Sequence, residues 1–245
     1  MARSERQPSL DREPLALLEG AQLLADPLYY GFGVPRGDGR LVAVLPGLFA
    51  SDAYLWLMRS WLRRIGYRPV ASTIAVHAGC PERLRALARS ELESAIARQR
   101  GPVALIGHSQ GGSLARAIAG EMQDRVSHLV LLGSPAGALS RGAWHLREQA
   151  PPAGRRAADA ARRARQSIDR DCGFPTCDCE FPRDLVAPLS PRTRVLSISS
   201  RDDPIVPAWA SNVTGGRNVE VRGSHSGLAF NRAVYRLLAV ELSSV

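Results

Sequence analysis

Short apolar runs alternate with helix-like stretches along most of the chain. The runs at 41–45, 69–75, 103–107, 127–132 and 194–200 have the length and β-branched content of strands. A further short strand, followed by a flexible loop, is expected within 219–227. Between them the apolar period changes. Tyr54, Leu55, Leu57, Met58, Trp61, Leu62 and Ile65 share one broad face of a helix over 52–65. Leu84, Leu87, Leu92 and Ile96 recur at helical spacing over 81–99, and a third helix is expected over 110–121. Strands apolar on both faces and separated by helices predict an α/β fold. Its sheet should be mostly parallel, with about six strands flanked by helices.

Three segments lie outside this rhythm. Residues 1–13 are polar and read as a loose N-terminal tail. Residues 14–25 predict an amphipathic helix, because Glu19, Gly20 and Gln22 interrupt its apolar run. Residues 136–190 form an insertion with Pro151-Pro152, an Ala/Arg-rich helix at 153–167 and a cysteine cluster. Trp144, Leu146, Ile168 and Phe174 would dock it on the core.

The most informative segment is Val103-Ala-Leu-Ile-Gly-His-Ser-Gln-Gly-Gly-Ser113. An apolar strand runs into Gly107-His108-Ser109-Gln110-Gly111, and a helix follows. Strand, G-x-S-x-G and helix together are the context of a nucleophile elbow, which would present the Ser109 hydroxyl at the top of the sheet. A serine hydroxyl needs a base and an orienting acid, and in this architecture the order is Ser, acid, His. Of the histidines after Ser109, only His225 lies near the C-terminus, in a loop after a short strand. The acid should follow the strand 194–200, where Asp202 and Asp203 compete. Pro204 and Pro207 would fix the loop that begins at Asp203, so Asp203 is the choice. Asp202 would be a solvated carboxylate beside Arg201.

A developing oxyanion needs two backbone N–H groups. Gln110, directly after Ser109, should give one. The run 41–45 ends in Pro46-Gly47-Leu48-Phe49, and Leu48 N–H is the candidate for the other, ahead of Phe49.

These pieces resemble the α/β-hydrolase superfamily, and within it the lipase/esterase group. The resemblance rests on Leu45-Pro46-Gly47-Leu48, Gly66-Tyr67-Arg68-Pro69-Val70, Gly107–Gly112, Leu132-Gly133-Ser134-Pro135, Asp203-Pro204-Ile205-Val206 and Gly223–Gly227. Many lipases carry His-Gly where this chain has Pro46-Gly47, which leaves the second oxyanion donor less defined. The resemblance implies serine-dependent hydrolysis of a small-molecule ester or lipid through an acyl-enzyme, without metal or cofactor. Thioester hydrolysis or acyl transfer could use the same residues, and a non-catalytic binding module could keep the fold. The resemblance also makes the insertion after Gly133 a cap over the acyl site.

The 245-residue length suits one α/β-hydrolase domain. The net charge of +9 comes from arginine alone, since the chain has no lysine. That charge is spread along the chain rather than gathered beside aromatics, which argues against nucleic acid. One local excess stands out: eight arginines against Glu148, Asp159 and Asp169 between Arg141 and Arg170. It would favour weak contact with an anionic membrane surface. No apolar stretch is long enough to span a bilayer and no export signal is recognisable, which points to the cytoplasm. Cys172, Cys177 and Cys179 leave three readings open: reduced thiols, a disulfide from Cys172, or metal ligation without the usual paired spacing.

Overall fold

In the computed structural model, which describes residues 10–99, 101–142, 146–174 and 179–244, the expected apolar runs form one sheet. Its strands are β1 (Leu41–Leu45), β2 (Arg68–Val70), β3 (Val103–His108), β4 (Val126–Leu132), β5 (Arg194–Ser200) and β6 (Arg217–Val221). They lie in the order β2-β1-β3-β4-β5-β6, and every neighbouring pair is parallel. The helices are α1 (Leu15–Ala25), α2 (Trp56–Arg64), α3 (Pro81–Arg98), α4 (Gln110–Met122), α5 (Ala136–Leu139), α6 (Leu146–Gln149), α7 (Pro152–Ile168), α8 (Glu180–Val186), α9 (Ala208–Ser211) and α10 (Arg232–Ser243). Among the described residues no helix is long and apolar enough to cross a membrane.

Successive strand residues point to opposite faces, so each strand feeds two cores. Val42, Val44, Ala104, Ile106, Val130 and Ile198 pack with Leu23 of α1, Trp61 of α2 and Tyr235 of α10. Leu41, Ala43, Leu45, Leu105, Leu129 and Leu131 pack with Leu92 of α3, Ile118 of α4 and Phe181 of α8. This is why the strands read as continuous apolar runs. Trp61 can be fully buried because its ring N–H donates to Leu28 O at 3.1 Å.

Two expected elements are shortened. The strand expected over 69–75 stops at Val70. Just beyond it, Ser72 N–H and Oγ–H both donate to Asp52 Oδ1, at 3.2 and 2.9 Å, and pull the chain out of the sheet. The helix expected from 52 begins as a 3₁₀ turn over Asp52–Leu55, where Ser51 Oγ accepts Ala53 N–H at 3.2 Å.

The 136–190 insertion does not act as one piece. α5 is buried against the sheet. α7 lies over the carboxyl ends of the strands, and a side chain at Gly154 would strike Ile205 O. Asp169 closes the C-terminal end of α7 onto α3, accepting Cys80 N–H at 2.6 Å and pairing with Arg83. α8 belongs to the core, with Phe181 and Leu185 buried and the Arg116 guanidinium of α4 donating to Asp184 O and Ala187 O. Of the four residues expected to dock the insertion, Phe174 stacks edge-on against Phe181 at 5.3 Å, whereas Ile168 is exposed. Trp144 and the Leu146 side chain lie outside what is described, as do Cys177 and residues 1–9. Cys179 is disulfide-bonded, but Cys172 is a free thiol beside Cys80.

Candidate active site

β3 ends at His108, and the chain turns through Ser109 directly into α4. Ser109 adopts φ 54° and ψ −124°, a conformation costly for any residue with a Cβ. Its neighbours hold it there. Ser109 N–H donates to Leu132 O at 2.8 Å, tying the turn to β4. Added side chains at Gly107 and Gly111 would collide with backbone of residues 111–112 and 45–46 respectively. The spacing of the motif is thus a steric requirement of the turn.

The three residues expected to act together meet at this turn. Ser109 Oγ lies 2.9 Å from His225 Nε2, and His225 Nδ1 lies 2.6 Å from Asp203 Oδ2. All three are buried. Asp203 Oδ1 accepts the backbone N–H groups of Ile205 and Val206 at 2.8 and 2.9 Å, which aims Oδ2 at the imidazole. Nδ1–H therefore donates to Asp203, leaving Nε2 to accept the Ser109 hydroxyl. Burial alone would lower the proton affinity of His225. The charge and hydrogen bond of Asp203, joined by the charge of Glu13, outweigh burial and raise its pKa. Asp202 faces elsewhere: it pairs with Arg12 and accepts Gly223 N–H, while Arg201, its expected partner, pairs with Glu220 at 2.7 Å.

The loop 46–50 runs beside the nucleophile. Gly47 sits so close that a side chain there would crowd Ser109 Cβ and the His108 ring. Phe49 N–H already donates to His77 O at 2.9 Å. The amide that ranked behind Leu48 is thus already engaged. Gln110 N–H, at the first position of α4, belongs to the helix turn whose amides have no intrahelical acceptor. His77 braces the loop from behind, its Nδ1–H donating to Pro46 O at 2.8 Å. Burial pushes its pKa down to about 4, so it is neutral at physiological pH.

The sequence reading missed the groups that hold the His225 backbone. His108 Nε2–H donates to His225 O at 2.9 Å, and burial followed by the nearby His225 drives the His108 pKa down to about 4. Tyr54 OH donates to Ser226 O. Burial pushes that phenol pKa far up, so it remains a donor. Glu13 accepts from the N–H groups of His225 and Ser226. His108 could have been suspected from its place inside the elbow. Nothing in the local pattern marks Tyr54 or Glu13.

In front of Ser109 opens a cavity of about 910 Å³, walled by Leu10, Phe49, Leu139, Ala157, Ile205 and Val206 among others. Most of its lining is apolar. α7 contributes alanines to the wall, and Arg156, Arg162 and Arg165 also line the cavity.

The sheet order, the elbow and the covering helices give this chain the α/β-hydrolase fold. The family profile described as alpha/beta hydrolase fold matches residues 99–171, the span from before β3 to just beyond α7. The chain is similar to the crystal structure of polyneuridine aldehyde esterase, with TM-score 0.54, 15% identity, and 84% of this chain and 100% of that chain covered. It is also similar to a mature lipase from Bacillus licheniformis, with TM-score 0.57, 12% identity, and 86% and 95% covered. A monoacylglycerol lipase from Paleococcus ferrophilus gives TM-score 0.52, 16% identity, and 84% and 96% covered. At such identities the likeness speaks for the fold. No curated protein matches the chain in sequence.

Proposed function

We propose that the protein is a serine esterase of lipase type that hydrolyses carboxylic esters with an apolar acyl chain. The observation that carries this reading is the continuous hydrogen-bond chain from Ser109 Oγ through His225 to Asp203. Ser109 Oγ attacks the ester carbonyl while its proton passes to His225 Nε2. Asp203 holds the tautomer and stabilises the imidazolium. The N–H groups of Gln110 and Leu48 receive the oxyanion. His225 then protonates the departing alcohol, and a water deprotonated by the same imidazole releases the acid from Ser109. These steps need no metal or cofactor. Labelling of the intact protein by a fluorophosphonate probe, mapped to Ser109 and matched with turnover of p-nitrophenyl esters, tests the reading. An unlabelled, folded protein would sink it.

The apolar cavity supports an acyl chain of appreciable length, since ligand pockets of several hundred Å³ bury most of their ligand. Ala157 lies on its wall from α7. Ala157→Trp should fill part of the space. For decanoate esters KM should rise about tenfold or more, the scale of losing a few methylenes of burial. Acetate and butyrate esters should react as before. A ladder of p-nitrophenyl esters reads the shift; an unchanged optimum would mean that the chain lies elsewhere.

The arginine excess between Arg141 and Arg170 supports weak, salt-sensitive contact with an anionic membrane surface. Vesicle binding should fade as added salt shortens the Debye length below its value of about 10 Å at 0.1 M.

A further inference from the structure

The loop that carries His225 begins where the sheet ends. Among the described residues β6 is an edge strand, paired only with β5, and it stops at Val221. From there residues 222–225 cross back over the strands to the short 3₁₀ helix Ser226–Phe230. A segment of this kind has backbone N–H groups with no sheet or helix acceptor, and it would be expected to wander. Here those groups converge on two carboxylates from the opposite end of the chain. Glu13 Oε1 accepts His225 N–H at 2.9 Å, and Glu13 Oε2 accepts Ser226 N–H at 2.9 Å. Glu19 Oε2 accepts Ser224 N–H at 3.3 Å and Ser224 Oγ–H at 2.6 Å, and Ser224 Oγ in turn accepts Gly227 N–H at 3.0 Å. Glu19 Oε1 accepts from Asn231 Nδ2 at 3.1 Å. Gly223 and Gly227 give Glu19 its room, since a side chain at either would meet its carboxylate. Arg12 adds a tie to Asp202.

We infer that Glu13 is a positioning residue for His225. Its carboxylate bridges two successive amides of the histidine loop and so fixes the imidazole between Asp203 and Ser109. This rests on the reading of His225 as the general base. The bridge is complementary to the contacts on the other side of the loop. His108 and Tyr54 take the carbonyls of residues 225 and 226, and Glu13 takes their amides. The backbone of residues 225–226 is thus held through both its donors and its acceptors, and the ring is held separately at Nδ1 and Nε2. The segment that carries Glu13 also places Leu10 on the wall of the acyl cavity, so the N-terminus takes part in both the base and the binding surface.

Glu13 also acts by charge. The groups facing His225 are Asp203 from the loop after β5, Ser109 and His108 from the elbow, Tyr54 from the turn before α2, and Glu13 and Glu19 from the N-terminal segment. Asp203 and Glu13 raise the proton affinity of the imidazole, and burial opposes them. A merely structural tether would not set that balance.

Glu13→Gln keeps the size and one acceptor oxygen but removes the charge. The pKa of His225 should then fall. His225 must be neutral to accept the Ser109 proton, so the acid limb of kcat/KM should move to lower pH by the same amount. kcat at pH 8 should fall about tenfold with KM within twofold, since one amide of the loop loses its acceptor. NMR titration of the His225 Cε1–H resonance, in wild type and variant, measures the pKa without reference to turnover. Should Glu13→Gln not fold, Glu13→Asp replaces it. That variant withdraws the charge by one methylene, and should give a smaller shift in the same direction with a similar kcat loss. An unmoved titration and acid limb in a folded variant would overturn the inference, even if stability fell. A wild-type protein that neither labels at Ser109 nor turns over esters would overturn the esterase reading instead, and the NMR titration would still decide the effect of Glu13 on His225.

Discussion

Ser109→Ala is expected to abolish ester hydrolysis and fluorophosphonate labelling in a protein that remains folded. The size of the loss follows from what the hydroxyl does. In the proposed cycle it forms the covalent bond to the acyl group, so nothing else in the site substitutes for it. The oxyanion donors and the cavity persist, and they sustain only a residual rate over water. A drop of at least about a thousandfold in kcat, and up to the order of 10⁶, is the range for loss of such a nucleophile. Folding should be nearly unaffected. Ser109 N–H keeps its bond to Leu132 O, and the turn is enforced by contacts at Gly107 and Gly111 that the substitution leaves alone. Among the described residues, the only side-chain partner of the hydroxyl is His225. Circular dichroism and thermal unfolding should therefore match wild type. Substantial turnover by the folded variant would remove Ser109 from the mechanism.

The parts of this site that local chemistry dictates were legible in the sequence. The strands could be read because both faces of the sheet are covered, so Leu41–Leu45 and the run 103–106 had to be apolar throughout. Ser109 could be read because its turn excludes side chains at the two flanking glycines. Asp203 could be preferred to Asp202 because the prolines after it stiffen a loop in which Ile205 and Val206 amides return to its carboxylate.

What could not be read depends on competition or on distance. The end of β2 is set by Asp52, which captures Ser72 from outside the strand. α8 was hidden inside an insertion whose prolines, arginines and cysteines suggested a cap, although Phe181 and Leu185 belong to the core. That the Phe49 amide is engaged was equally hidden, because His77 O reaches it from a segment without regular structure. The contribution of the N-terminus was the least visible. Residues 1–13 read as a polar tail, yet Leu10–Arg12 form a 3₁₀ turn and Glu13 meets His225 across 212 positions of sequence. A carboxylate that caps a distant loop leaves no periodicity to find.

Asp203→Asn and Asp202→Asn should separate by orders of magnitude, although the two residues are adjacent. The Asp203 carboxylate accepts from His225 Nδ1 on one oxygen and from two backbone amides on the other. An asparagine must keep its carbonyl oxygen toward those amides, which have no other acceptor in the turn. Its NH₂ group then faces Nδ1 and can only donate. The imidazole is driven to carry its proton on Nε2, the position from which it should accept the Ser109 hydroxyl. A loss of about 10⁴ in kcat is the scale of that wrong tautomer. The charge is lost as well. With burial no longer outweighed, the His225 pKa should fall, and the acid limb of the residual activity should lie below that of wild type. Asp202→Asn affects neither quantity directly. It weakens a surface pair with Arg12, worth about 1 kcal/mol or less, and a 3.4 Å contact with Gly223 N–H. Its kcat should stay within about threefold of wild type, a barrier change under 1 kcal/mol. Steady-state kinetics of both variants across pH decide the matter. Equal losses would mean that the loop acts as a unit, and a larger loss at Asp202 would transfer the orienting role to it.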